Sequence, residues 1–292
     1  MSTLSQTEGK VTFGPSVIQP PCVPANAWAV ARFASASLPV DPPDDLLAVR
    51  RHYLNALNDI QSHRFPKTMT EADFVLDFGD GPESEAALKE LLDSDPLPPE
   101  WRFEPADQER IHREASEALD EIAVLDPDLH RNLQTVVAGF IFARRPKLEG
   151  GSISALTGPI WLDPADDWTI DTYVENMVHE YVHQCLFLDE MVNTIFAKFS
   201  IEEMSTPDAL VTSTILKRRR PYDKAYHSAF VAHVIAQFYI VRGLEEKARE
   251  YLESTRSTAD ELLARTDYVT ENGLSNLEEL SEEVDQHLDR LR

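Results

Sequence analysis

Residues 179–183 read His-Glu-Tyr-Val-His, inside the longer run TYVENMVHEYVHQCLFLDEM. In a helix four residues advance about 400°, so His179 and His183 share one face, about 40° apart. Two imidazoles one turn apart can grip a single metal ion. Glu180 lies about 100° round from His179, close enough to orient ligands or water beside that ion or to act as a general base. Ile170, Tyr173, Val174, Met177, Val178, Tyr181, Val182, Cys185 and Leu186 give the same helix a wide apolar surface, so it is expected to be buried. Buried histidines need partners for their ring nitrogens, and an ion supplies one.

H-E-x-x-H has only three fixed positions and also occurs by chance; the chemistry turns on the third protein ligand. Asp189 stands six residues beyond His183, the distance metzincin peptidases use. Those enzymes break the helix with a Gly three residues after the second His, and this chain has Leu186 there. In an unbroken helix Asp189 points about 240° away from His183, which excludes it. Glu203 follows His183 by twenty residues, as in thermolysin-like peptidases, and otherwise reads as a surface acid beside Glu202. His227 and His233 lie six residues apart on one predicted helix and cannot both face the ion. His227 sits near the helix start, where an element meets a loop. His233, among Ala232, Val234 and Ile235, reads as a core histidine. Glu203 and His227 therefore both stand as candidates. Cys185, about 200° round from His183, points into the core.

Several elements must hold these groups in place. Residues 1–24, with Ser, Thr, Gly and Pro, read as an irregular arm. LPVDPPDDLLAVRRHYLNALNDIQSHR reads as a capped helix, with further helices near 83–94 and 107–133 and a Pro-rich joint at 93–105. From Leu133 the texture changes. LQTVVAGFIFARR, GGSISAL and GPIWLDP read as strands, 168–190 as the metal helix and ALVTSTIL as another strand. An apolar helix over DKAYHSAFVAHVIAQFYIVRG and two polar amphipathic helices close the chain. The expected fold is α+β and mostly helical. Residues 1–132 form an arm and helical region; 133–292 form a metal-site region in which a small sheet packs on long helices. The glycines of EGGSISAL suit an edge strand on which a peptide could add, or an ordinary hairpin.

Composition bounds the rest. The 292 residues can bury a sizeable core, and 42% are apolar. With 27 Lys+Arg against 51 Asp+Glu the formal charge is −24, which argues against a nucleic-acid groove and for a solvated acidic surface. Two cysteines, Cys22 and Cys185, make no disulfide framework. No basic and apolar leader and no stretch near ~18 apolar residues is present, so a cytoplasmic protein without a membrane partner is expected.

The segment TSTILKRRRPYDKAYHSAFVAH resembles the HExxH-motif peptide-modification proteins found with ribosomally made peptide natural products. Their pattern has a Ser, then seven residues on an Arg-Pro, then a His six after the Pro; here these are Ser213, Arg220, Pro221 and His227. The likeness runs from about residue 150 to 240 and includes the Leu-rich continuation of the metal helix. The aromatic that the family often shows two residues after the Ser is Ile215 here, which weakens inferences about substrate contacts more than those about ligands. The resemblance implies a non-haem Fe(II), 2-oxoglutarate-dependent hydroxylase acting on the β-carbon of side chains in a precursor peptide. It implies His179, His183 and His227 as ligands, Glu180 in support, and Arg220 on the distal carboxylate of the keto acid, a fit that a guanidinium fork suits. Three facial protein ligands leave three positions on an octahedral ion, enough for a keto-acid chelate and oxygen. Arg218 and Arg219 read equally well as a basic surface turn. The alternative is a zinc metallopeptidase with Glu180 as general base and Glu203 or His227 as third ligand; a metal that only holds the fold is a further possibility.

Overall fold

The structure is a computed structural model that describes residues 13–72, 74–198 and 200–292. The first half is helical: α1 (Cys22–Ala34), α2 (Leu46–Ile60), α3 (Lys67–Glu71), the short strand β1 (Leu76–Asp77), α4 (Pro82–Leu92), α5 (Pro105–Leu125) and α6 (Pro127–Val136). Next come β2 (Gly139–Phe142), β3 (Gly150–Ile153) and β4 (Leu156–Leu162). The metal helix α7 (Ile170–Asn193) and the short α8 (Ile201–Met204) lead into β5 (Val211–Thr212) and β6 (Arg219–Arg220). Three long helices finish the chain: α9 (Tyr222–Val241), α10 (Glu245–Leu263) and α11 (Glu271–Arg290). The fold is a mostly helical α+β arrangement, as expected.

One sheet has the order β1-β2-β4-β3, with β1, β2 and β4 parallel and β3 antiparallel to β4. β2 and β4 are buried along their whole length, as central parallel strands covered on both faces should be. β3 and the two-residue β1 are the edge strands. The other sheet is the small antiparallel hairpin of β5 and β6. Side chains on both sides of residue 133 share a single core, in which Trp161, Tyr173, Tyr181, Phe140 and Phe230 are almost fully buried.

Four boundaries differ from expectation. α1 begins inside the expected arm, at Cys22; the arm's first twelve residues lie outside the described residues. Pro24 is tolerated because first-turn N–H groups have no helical partner. The helix expected over 107–133 is two helices. It breaks at Asp126-Pro127, where the Asp126 carboxylate accepts from the backbone N–H groups of Asp128 (2.9 Å) and Leu129 (3.1 Å) and caps α6. The strand expected from Leu133 starts only at Gly139, because α6 runs to Val136. The buried Arg50 explains the helical ending: its guanidinium donates to the carbonyls of Gln134, Val137 and Ala138, satisfying oxygens that a helix end leaves open. The strand expected over 209–216 shrinks to Val211–Thr212.

Candidate metal centre

α7 is started by a capping box: the Thr169 hydroxyl accepts from the Thr172 backbone N–H, and the Thr172 hydroxyl accepts in return. It ends where Glu190 accepts from the backbone N–H groups of Ile195 (2.5 Å) and Phe196 (3.2 Å). Its apolar face packs against α1, α5 and α9, and the Tyr181 hydroxyl donates to the Ile18 carbonyl (2.7 Å). That burial fixes the rotation of the helix. On the remaining face the ligand atoms of His179, Glu180 and His183 lie mutually within 4.8 Å, a His-Glu-His cluster able to hold a metal ion.

His227, in the second turn of α9, reaches the cluster through His183. Their Nδ1 atoms are 3.0 Å apart and their rings are stacked, 5.2 Å between centroids. The His227 ring thus lies against His183, but among the described residues the group whose ligand atoms are mutually within 4.8 Å is His179, Glu180 and His183, without His227. The rings of His179 and His183 are 5.2 Å apart. Burial pushes the His179 imidazole down to about 4, that of His227 to about 3, and that of His183 well below the ordinary range. All three are neutral at pH 7, the form a metal requires. His183 is lowered further by the neighbouring histidines and by the charges of Lys224 and Arg220.

Glu180 is buried, and the Ser152 hydroxyl of edge strand β3 donates to its Oε2 (2.7 Å). Desolvation pushes its carboxyl up to about 7, against the lowering effect of that hydrogen bond. Its other face stands 3.8 Å from His179 Nε2.

The run Arg218-Arg219-Arg220 is sorted by strand alternation. Arg218 is exposed. Arg219 turns outward to Glu261 of α10 (2.5 Å) and to the Leu210 carbonyl. Arg220 takes the opposite face and lines the metal cleft, half-buried, with no carboxylate within ion-pair distance among the described residues. Ser213 sets this geometry. Its hydroxyl meets that of Ser228 (2.9 Å), next to His227 on α9, and its backbone N–H and carbonyl pair with Arg218 and Lys217 across the turn. Thr214 and Thr258 pin the same hairpin to α10.

The cleft has a volume of about 410 Å³ and is lined by Gly150, Gly151 and Ser152 of β3, the three histidines, Glu180 and Arg220. Two sequence candidates fall elsewhere. Asp189 is buried away from the cleft, its carboxylate accepting from the amides of Asn26, Asn193, Asn272 and Asn276, as its helical phase requires. Glu203 is exposed on α8 and accepts from the Ser200 hydroxyl that caps that helix (2.9 Å). His233 is a core residue, its Nε2 2.8 Å from Glu283, and Cys185 is buried. Sequence reasoning missed Ser152, Phe187 and Lys224. Phe187 is one helical turn beyond His183 on α7, and Lys224 is three residues before His227 on α9, spacings that point to the same cleft. Nothing local marks Ser152.

A scan against protein-family models finds no match, and a search of curated proteins finds none either. Among the described residues no helix is long and apolar enough to cross a membrane.

Proposed function

We propose that the chain is a 2-oxoglutarate-dependent, non-haem iron hydroxylase of peptide side chains. His179, His183 and His227 hold the ion, and Arg220 holds the distal carboxylate of the keto acid. The observation that carries the proposal is Arg220. A half-buried guanidinium beside a cluster of neutral metal-binding groups, in a chain of charge −24, has no acid of its own among the described residues. An unpaired cation in a cleft selects an anionic small molecule, and the planar fork suits a carboxylate. Iron with 2-oxoglutarate would supply the oxidising power for inserting oxygen into a C–H bond. The chain's residues do the positioning: α7 and α9 present neutral imidazoles, Ser152 orients Glu180 beside them, and β3 offers a free edge to an extended peptide.

The resemblance of the Ser213–Arg220–Pro221–His227 segment to peptide-modification proteins supports the same reading. A zinc peptidase draws instead on Glu180, whose carboxyl, pushed up to about 7, suits a general base at neutral pH. It gives Arg220 no task. The test is product analysis: peptides incubated with the iron(II) protein, 2-oxoglutarate and oxygen should gain the mass of one oxygen atom while succinate is released. Cleaved peptide, without succinate, would establish the peptidase.

A further inference from the structure

A second cleft, of about 380 Å³, adjoins the metal cleft. The two share Phe187, Lys224 and His227. Phe187 forms the partition: its ring lies 6.2 Å from that of His183 and 5.2 Å from that of His227. Behind it Phe196 and Met204 form an apolar patch, and Ser154, Glu190, Lys198, Ser200, Ser205, Asp223 and Lys224 make up the polar part of the wall. Phe196 stacks on His227 from the far side, at 6.3 Å. Edge strand β3 opens onto the metal cleft, and the turn that follows it opens onto the second. Gly150 to Ser152 line the metal cleft, and Ser154, two residues beyond Ser152, lines the second.

An extended chain lying beside β3 and continuing past its end along the turn at Ser154 would pass both clefts. Residues i and i+2 of a strand project to the same side, about 7 Å apart. A side chain in the metal cleft therefore has its second neighbour over the second cleft. We propose that the second cleft is a specificity subsite that seats a large apolar or aromatic side chain of the peptide, two residues from the one that enters the metal cleft. The proposal rests on a peptide substrate, as in the function proposed above. The occupant follows from the lining. Two phenylalanine rings and a methionine, whose flexible thioether adapts to aromatic faces, favour an apolar group, while Glu190 and Ser200 in the polar part of the wall are already engaged, Glu190 with the N–H groups of Ile195 and Phe196 and Ser200 with Glu203. The pairing with β3 supplies backbone hydrogen bonds to its neighbours.

The test measures binding alone, by titration calorimetry on zinc-loaded protein, where no oxidation occurs. The probes are acetylated, amidated heptapeptides of Gly and Asn containing one Phe, one Leu or neither. Burying such a side chain should tighten binding roughly tenfold to a hundredfold over the peptide without it. Met204→Trp fills the cleft and should abolish that advantage; Met204→Ala should shift preference towards a Trp-containing peptide. In the unaltered protein a benzoylphenylalanine version of the peptide should crosslink at Met204 or Phe196. Equal affinity of Phe and Gly/Asn peptides, or crosslinks confined to other surfaces, would overturn the subsite. A Phe preference lost in Met204→Trp, in a protein that turns over no 2-oxoglutarate, would leave the subsite standing and remove the hydroxylase. Hydroxylation of peptides indifferent to that side chain would do the reverse.

Discussion

Replacing His227 with Ala removes the imidazole whose Nδ1 faces His183 at 3.0 Å. The ring is 7% exposed and burial holds it neutral, so it is available to a metal at pH 7 without losing a proton. Losing an outer partner of a ligand typically costs ten- to a hundredfold in metal affinity. Losing a ligand should cost at least the upper end of that range, about 100-fold, or ~2.7 kcal/mol. The same loss is expected for His179→Ala and His183→Ala. Glu203→Ala serves as the contrast: its carboxylate is exposed and engaged with Ser200, so metal affinity should stay within about threefold, under the ~0.7 kcal/mol that factor represents. Competition titration against a chromophoric chelator, with iron(II) under anaerobic conditions and separately with zinc(II), measures all four. If Glu203→Ala loses the metal and His227→Ala keeps it, the three-histidine assignment is wrong and a peptidase-type ligand set replaces it.

Arg220→Ala should weaken 2-oxoglutarate binding by ten- to a hundredfold, from the ~1.5–3 kcal/mol of a charge-assisted bidentate contact, and Arg220→Lys by less; Arg218→Ala should change little, all read from saturation curves. Arg220→Ala should also leave the urea midpoint nearly unchanged, since among the described residues no carboxylate loses a partner. Glu180→Gln should reduce hydroxylation by roughly 10–100-fold while metal content persists; a metal-free variant would instead make Glu180 a ligand, and a cleavage activity that vanishes in it would make Glu180 the base. Asp189→Ala strands the buried amides of Asn26 and Asn276 and removes a partner of the less buried Asn193 and Asn272, and should cost roughly 2–5 kcal/mol in urea unfolding; an effect under about 1 kcal/mol would refute that role. Burial holds His287 down to about 4, below the 6.5 of an unfolded histidine. The unfolded chain takes up the proton first, so stability present above 6.5 should fall as pH drops towards 4, and His287→Gln should flatten part of that slope in thermal melts. An identical slope would show that other groups carry it.

The sequence carried the metal helix because its information is local: the spacing of His179 and His183 and the apolar face around them place both imidazoles on one side. It also separated Asp189 from the ion by helical phase, and the structure turns that carboxylate into a cage of asparagines. Between Glu203 and His227 the residues alone left a choice, since neither spacing says which helix crosses α7. The packing of α9 against α7 brings the His227 ring onto His183. Arginine alternation was not legible either, because it depends on where the two-residue strand β6 begins. The boundary of α6 depends on Arg50, more than eighty residues earlier in the chain, and the second cleft depends on where Phe187, Phe196 and Met204 meet. Ser152 finds Glu180 only once β3 is laid beside α7. What escaped is tertiary, and it includes most of the second cleft's lining.

The central claim is that this cleft takes iron(II) and 2-oxoglutarate together. Its most direct test is anaerobic titration of 2-oxoglutarate into the iron(II)-loaded protein, following the visible charge-transfer band of the keto-acid chelate. The account predicts a saturable band at one equivalent of iron, weakened in Arg220→Ala and absent without metal. A protein that holds iron through its three histidines yet develops no band at any 2-oxoglutarate concentration would contradict it.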